Sequence, residues 1–582
     1  MIPMKRIRHS LSIAAVIATL GGPLSAHGQF LTKLSNFSAN LGNGASGGEI
    51  PAFDPFTDRL FVTSSNTTRH QINVFDLSIP SAPSGITTIN FTNATGSGNL
   101  FGLSSVAIDP TGRGFGVAAL IPTNRTTTVG LLGFFNTATG AIIGNLSISA
   151  GFHPDSLTFS ADGTRLVVVN EGEFVAGLTN TAGSISILDI SSINSGNLGN
   201  LTGLSASTFD FSSGNRAAGV TLDGLRNPSV GALGTSGNFI QTVPNFTALA
   251  GSDPDFFKGM EPEYASISGN KITVTLQEAN ALAIFDLNTN KWEEIHNLGT
   301  INQIVDGGDF DLPPGGNGSA KLIDDTVAGL PMPDTVATFT IGNKTYAVTA
   351  NEGDVRTDDR DGSRLGDTAG NDTMNGTILD PSIQNNAALR GNLTIGRLNV
   401  SRIDGDTDGD GDIDVPTMFG TRSLSIWDIE TGALVSDTGS LFEQTILSLD
   451  TAGYADGRSD DKGPEPEGLT LGTIDGRRYA FVGMERNNAI MMIDITDPEN
   501  IFLVDYNRVT DVGAVPLRPE GMQFVSAADS PNGQNLLIVG FEGDGAVVGE
   551  RIVVFSVIPE PSTALLILIG GGVAALRRRR QP

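Results

Sequence analysis

The chain contains no cysteine, which excludes disulfides, thiolate nucleophiles, iron–sulfur clusters and cysteine-ligated zinc together. Histidine is nearly as scarce. Of five, His9 and His27 lie in a leader-like segment, leaving His70, His153 and His296 too dispersed for a multi-histidine metal centre. Charge is sparse too, at 17% of residues, and one-sided: 35 Lys and Arg face 63 Asp and Glu, for a net −28. Seven of those basic residues (Lys5, Arg6, Arg8 and Arg577 to Arg580) sit in terminal segments, and losing them takes −28 to −35. Nucleic acid is excluded as a partner, because it demands clustered Lys and Arg to neutralise phosphates. Cations are the natural ligands. What is abundant is glycine, 73 residues, with 28 prolines and 39% hydrophobic residues, the composition of many short strands joined by polar turns. At 582 residues, a length prior of about 150 residues per domain suggests four domains, a prior that internal repeats override.

The two terminal segments read as addresses. Residues 1–28 combine a basic start, an apolar stretch from Leu11 to Leu20 and the small-residue run Leu24-Ser25-Ala26, the pattern of a secretory signal peptide. Residues 557–582 run Val557-Ile558-Pro559-Glu560-Pro561-Ser562, then an apolar stretch from Thr563 to Leu576, then four arginines. That stretch is a marginal transmembrane helix, and the arginines would hold its end in the cytoplasm. The order Pro-Glu-Pro, apolar segment, Arg cluster resembles the PEP-CTERM sorting tail. The resemblance implies an exosortase-type processing partner, a Gram-negative source that makes extracellular polysaccharide, and transient anchoring in the inner membrane before release to the cell surface or matrix. Contact with the membrane is expected only through this tail.

Between them, residues 30–556 carry a recurring unit. Its clearest copy is His153-Pro154-Asp155, a strand from Ser156 to Ser160, the turn Ala161-Asp162-Gly163-Thr164, a strand from Arg165 to Asn170, a loop, and a strand from Ser184 to Ile190. Further copies begin near Glu49, Gly102, Glu261, Pro333, Glu465 and Pro519. Several end in an apolar-Asp-apolar signature, such as Val74-Phe75-Asp76-Leu77 or Met492-Ile493-Asp494-Ile495. Seven candidate units predict an all-β fold, a β-propeller of about seven blades, with an array of β-sandwiches as the alternative. Long insertions at 191–260, 306–332 and 353–420 lack a clear pattern and are candidate functional loops.

Two acidic positions recur in register. Asp155, Glu263, Asp334, Glu467 and Glu520 each follow a proline ahead of the first strand; Glu171, Glu278, Glu352, Glu485 and Glu542 follow the second. In an up-and-down sheet both loops lie at one end, so ten carboxylates should line one mouth. Converging carboxylates need a cation or an arginine, and Arg356, Arg422, Arg486 and Arg518 are close enough in sequence to serve. A purely structural repeat, a divalent-cation site and a catalytic centre all remain open. His153 reads as a loop-packing residue.

A second cation motif is Asp404-Gly405-Asp406-Thr407-Asp408-Gly409-Asp410-Gly411-Asp412-Ile413-Asp414. In an EF-hand-like register Asp406, Asp408 and Asp410 take positions one, three and five, Gly411 makes the turn, Asp412 offers its carbonyl, Ile413 is the apolar pin and Asp414 takes position nine. Position twelve is Thr417 instead of the bidentate Glu. Calcium is the expected ligand. Gly44-Ala45-Ser46-Gly47-Gly48 spells a nucleophile elbow but lacks the following helix.

The segments Asn351-Glu352-Gly353-Asp354, Arg422-Ser423-Leu424-Ser425-Ile426-Trp427-Asp428 and Gly463-Pro464-Glu465-Pro466-Glu467-Gly468-Leu469 resemble the choice-of-anchor I family, over nearly the whole body. That resemblance implies a propeller-like body with an exchangeable surface anchor and leaves activity open. The Glu-Pro-Glu-Gly segment is also similar to esterase-like phytase propellers. Two functions follow: a non-enzymatic surface or matrix protein presenting a calcium-organised acidic face to a polysaccharide or protein partner, or a calcium-dependent hydrolase of phosphoesters.

Overall fold

A computed structural model describes residues 30–41, 49–66, 69–172, 181–198, 201, 203–226, 256–308, 327–355, 362–366, 379–391, 394–401, 403–408, 412–510, 517–543 and 549–558. Residues 1–28 and 559–582 of the terminal addresses, the Gly44 to Gly48 loop, Arg356 and Asp410 lie outside these residues. No helix among the described residues is long and apolar enough to cross a membrane.

Among the described residues the chain forms seven four-stranded antiparallel sheets, each a meander in chain order apart from the last. The innermost strands are Pro51–Asp54, Leu100–Ile108, Pro154–Phe159, Pro262–Ser268, Val336–Ile341, Pro466–Ile474 and Pro519–Val525. Each touches the next, and the seventh returns to the first, so the sheets close a ring. This is a β-propeller. Hydroxyls latch one inner strand to its neighbour: Ser104 donates to the carbonyl of Pro154 at 2.7 Å, Ser156 to Glu263 at 2.6 Å, and Thr335 to Glu467. Each latch contributes about 1 kcal/mol.

Ring geometry explains why the second and third strands read as unbroken apolar runs. They lie between neighbouring sheets on both faces, so Phe115–Pro122, Ala281–Asp286 and Ala489–Asp494 are buried along their whole length. The fourth strands face solvent, as in the largely exposed Ser84–Asn90. The aspartate closing the third strand has a structural role at the end opposite the mouth. Asp189, Asp286, Asp428 and Asp494 each pair with the basic residue opening the second strand, Arg165 (2.8 Å), Lys271 (3.2 Å), Lys344 (3.2 Å) and Arg477 (2.5 Å). The same carboxylates accept the backbone N–H two residues on, capping the turn.

The seventh sheet is completed from the other end of the chain. Its strands Pro519–Val525, Asn535–Phe541 and Arg551–Val557 are joined by Leu31–Ser38, which runs antiparallel to the last of them with Leu31 opposite Val557.

The long insertions contain more structure than their sequence suggests. Residues 191–260 include Ala206–Asp210, the fourth strand of the third sheet, whose serine- and threonine-bearing exposed face hides the alternation. The other two insertions meet in a five-stranded accessory sheet, in which Val327–Leu330 pairs in parallel with Thr417–Phe419 and the flanking strands are Ile301–Gln303, Asn399–Ser401 and Gly362–Arg364. Strands of three or four residues drawn from positions far apart leave no periodicity to read. Val305, Val327, Ile395, Leu398, Val400 and Met418 form this sheet's small core. It abuts the 456–465 segment, where Asp460 pairs with Arg397 at 2.8 Å and accepts Asn399 N–H through its carbonyl.

Candidate cation site at the axial mouth

The proline opening the inner strand of the third, fourth, sixth and seventh sheets does two things. It starts the strand where no ladder N–H is required, and the two residues after it carry a bulge. Pro154 faces Asn170 while Leu157 faces Val168, so the inner strand holds one extra residue; Pro262, Pro466 and Pro519 repeat the pattern. The residue inside each bulge, next to the proline, is the acidic one: Asp155, Glu263, Glu467 and Glu520. Asp334 takes the corresponding place just ahead of Val336–Ile341. In the first sheet the acid is Glu49, two residues before Pro51, which sequence reasoning passed over.

The second acidic set arrives beside the first. Glu171, Glu485 and Glu542 each donate their backbone N–H to the residue preceding the proline, His153, Glu465 and Arg518 respectively. In the fourth sheet Leu276 faces Pro262, so Gln277 takes the place of Glu171 and Glu278 lies one residue further along. The residues preceding four of these prolines, His153, Met332, Glu465 and Arg518, have φ between 42° and 56°. A left-handed backbone at such residues costs about 1–2 kcal/mol each, strain of a kind found where structure serves a site.

The carboxylates sense one another around the axis. Burial first, then repulsion from Glu171, Glu278, Asp155 and Asp334, pushes Glu263 well above the ordinary range. Asp334, Glu467 and Glu520 are raised well above it for the same reasons, Glu467 by Glu520 and Glu352, and Glu520 by Glu49 and Glu542. Burial and neighbouring acids push Glu49 and Asp155 up to about 7. Glu485 rises to about 8 through burial and Glu465, despite Arg486. Asp334, Glu352 and Glu467 offer oxygens that all lie within 4.8 Å of one another. Asp334 is only 9% exposed, and one Glu467 oxygen is buried without a hydrogen-bond partner.

Compensating cations gather on one side. Lys462 binds Glu352 and lies 3.6 Å from Glu465; Arg486 lies 2.8 Å from both Glu465 and Glu485; Arg458 lies 2.7 Å from Glu465. Burial alone would raise Glu465, but Lys462, Arg486 and Arg458 hold it at about 2. Arg518 pairs with Glu542 at 3.1 Å, and His153 Nδ1 is 2.8 Å from Glu171, so His153 is an electrostatic partner as well as a loop residue. Arg422 does not compensate the mouth. It is fully buried against Glu443 at 2.7 Å and donates to the carbonyls of Ser459 and Asp461, fixing the segment that carries Lys462. Lys462 and Arg458 were missed because no other unit repeats them, and Glu465, which matches Glu261 ahead of Pro262, was read only as the start of a unit. The signal available was a lysine among acids just ahead of Gly463-Pro464-Glu465.

The Asp-rich loop departs from the EF-hand pattern. It is bounded by the strands Asn399–Ser401 and Thr417–Phe419, with no helix on either side. Thr417 is buried and donates to the carbonyl of Val415 at 3.0 Å, which takes position twelve out of the loop. Asp404 is paired with Arg226 at 2.7 Å. Oxygens of Asp406, Asp408 and Asp414 lie within 4.8 Å of one another, as do those of Asp380, Asp412 and Asp414. Asp412 thus turns its carboxylate toward Asp380, a residue that the linear motif does not contain.

Ring closure, inner-strand bulges and a carboxylate-lined mouth define an acidic β-propeller. The chain belongs to the choice-of-anchor I family, whose domain profile matches residues 49–498, and residues 557–581 match the PEP-CTERM protein-sorting motif. The motif implies an exported, surface-sorted protein of a Gram-negative bacterium, transiently anchored in the membrane and processed by an exosortase. Gigasin-3a of Magallana gigas is 28% identical over 29% of this chain and 66% of its own length, just under two thirds. Among solved structures, hydrazine synthase of Kuenenia stuttgartiensis is 10% identical, covering 86% of this chain and 94% of its own, with a TM-score of 0.40. The periplasmic gluconolactonase PpgL of Pseudomonas aeruginosa is 11% identical over 79% and 85%, with a TM-score of 0.33.

Proposed function

We propose that this is a seven-bladed, surface-sorted propeller that binds calcium and presents a calcium-organised acidic face to a polysaccharide or protein partner, without catalysis. The observation that carries the reading is the group formed by Asp334, Glu352 and Glu467: oxygen donors converge there, and Asp334 and Glu467 form no salt bridge among the described residues. Hard oxygen donors of this kind suit calcium. The Asp-rich loop supplies a second position through Asp406, Asp408 and Asp414, with Asp412 and Asp380 beside it. Calorimetric titration of the chelator-treated chain tests the reading: E467Q and D334N should each weaken one class of calcium sites at least several-fold, while E430Q on the surface should not. Equal binding by all three variants would make the ring structural. Calcium-dependent turnover of p-nitrophenyl phosphate that disappears in E467Q would replace binding with phosphoester hydrolysis.

A further inference from the structure

We propose that Lys462 is a built-in cation filling the position a second metal ion would otherwise take, so that the axial site accepts one divalent ion. The proposal rests on the cation-binding reading above. Glu352 is shared between two groups of carboxylates: its oxygens meet those of Asp334 and Glu467 within 4.8 Å, and those of Glu465 and Glu485 within the same limit. Either group offers the donors a hard cation takes. They differ in what the protein already supplies.

In the second group the lysine ammonium binds Glu352, lies 3.6 Å from Glu465, and is supplemented by Arg486 and Arg458. The ammonium is buried among Glu352, Glu465 and, at 3.9 Å, Asp354, whose charges offset the cost of burying it. In the first group neither Asp334 nor Glu467 forms a salt bridge among the described residues, although Lys462 also acts on Asp334 at longer range. Charge counting gives the same division. With a divalent ion bound and the group ionised, Asp334, Glu352, Glu465, Glu467 and Glu485 carry five negative charges and Lys462, Arg458 and Arg486 return three, leaving two for a single divalent ion; Arg518, 3.8 Å from Glu485, is counted with its nearer partner Glu542 at 3.1 Å. Asp354, 3.9 Å from the ammonium, is left out because its side chain is 48% exposed.

The ammonium is also held in place through the backbone. Arg422 grips the carbonyls of Ser459 and Asp461 on one side, and Pro464 accepts the N–H of Arg486 on the other. A tethered monovalent charge satisfies Glu352 and Glu465 while repelling a neighbouring divalent ion half as strongly as a second divalent ion would.

Equilibrium dialysis of the full chain with radiocalcium, after chelator treatment, tests the proposal. K462M should bind one more calcium per chain than the wild type, K462R the same number, and K462M/E465Q should lose the extra ion. Because K462M leaves buried carboxylates uncompensated, its folding is followed by circular dichroism. Folding lost in chelator and restored by calcium supports the proposal, whereas folding lost in both conditions overturns it. A folded K462M with wild-type stoichiometry also overturns it, even where E467Q has lost one ion and the parent reading stands. If E467Q keeps every ion, the parent reading falls, while an ion gained by K462M still establishes Lys462 as the occupant of a cation position.

Discussion

Replacing Asp155 by Asn should stabilise the calcium-free protein, by an amount that grows with pH. Asp155 sits in the bulge of the third sheet, where burial and then Glu171 raise it from 3.8 to about 7, against the opposing effect of His153. The folded state therefore holds a proton that the unfolded chain has released, between about pH 4 and 7. Stability is accordingly lost as pH rises through that window, and the full penalty is present above it. A rise of about three pH units corresponds to a ceiling of about 4 kcal/mol; solvent reaching the axial channel screens part of this, leaving about 1–3 kcal/mol. For a chain of this size that is about 1–3 °C in Tm. Scanning calorimetry in chelator at pH 5.0, 6.5 and 8.0 should show D155N more stable than the wild type by a margin that is smallest at the lowest pH and largest at the highest. A uniform loss of stability at all three values would mean that the carboxylate is locked into favourable contacts and that the axial repulsion is not there.

Calcium should displace protons from the raised carboxylates, so its apparent binding enthalpy at pH 7 should vary with the buffer's ionisation enthalpy; no variation would mean the mouth is already ionised. Asp406→Ala with Asp408→Ala should remove part of the calcium-induced rise in Tm and leave the part that E467Q removes, because the two groups occupy different loops; loss of the whole rise would place all binding in the Asp-rich loop. Deleting residues 559–582 should change surface retention without altering the melting curve of the body, measured by fractionation and calorimetry; identical fractionation would deny the tail a sorting role.

The sequence exposed the repeat because five units carry a proline followed by an acid and five close the third strand with an aspartate, and the acid and the aspartate mark opposite ends of the sheet. The hairpin Pro154–Phe159 with Arg165–Asn170 was visible almost to the residue, through the Asp162-Gly163 turn between two apolar runs. Convergence of the two acidic sets followed from register alone. Ala206–Asp210 was hidden, because a solvent-facing fourth strand needs no apolar alternation. The accessory sheet was hidden as well, since its short strands pair across tens of residues. At the site, linear motifs identified the anions and two of their partners, Arg486 and Arg518, but not the others: Lys462 and Arg458 come from a segment positioned by tertiary contacts, and Arg422, though near in sequence, turns into the core. Asp380 joins the Asp-rich loop through its backbone, donating its N–H to the carbonyl of Ile413.

The pairing of Leu31 with Val557, extended by the N–H of Ile558 donating to Phe30, imposes an order of events on biogenesis. The strand that leaves the cell first completes a sheet whose other members leave last, so the ring cannot shut until about residue 557 has crossed the membrane. Until then the early sheets stand with an open flank, and folding is timed by export. The sorting motif begins where that final strand ends, so the last strand of the ring and the sorting address are contiguous. A cut beyond Ile558 would remove the address while leaving intact the seam that holds the two ends together.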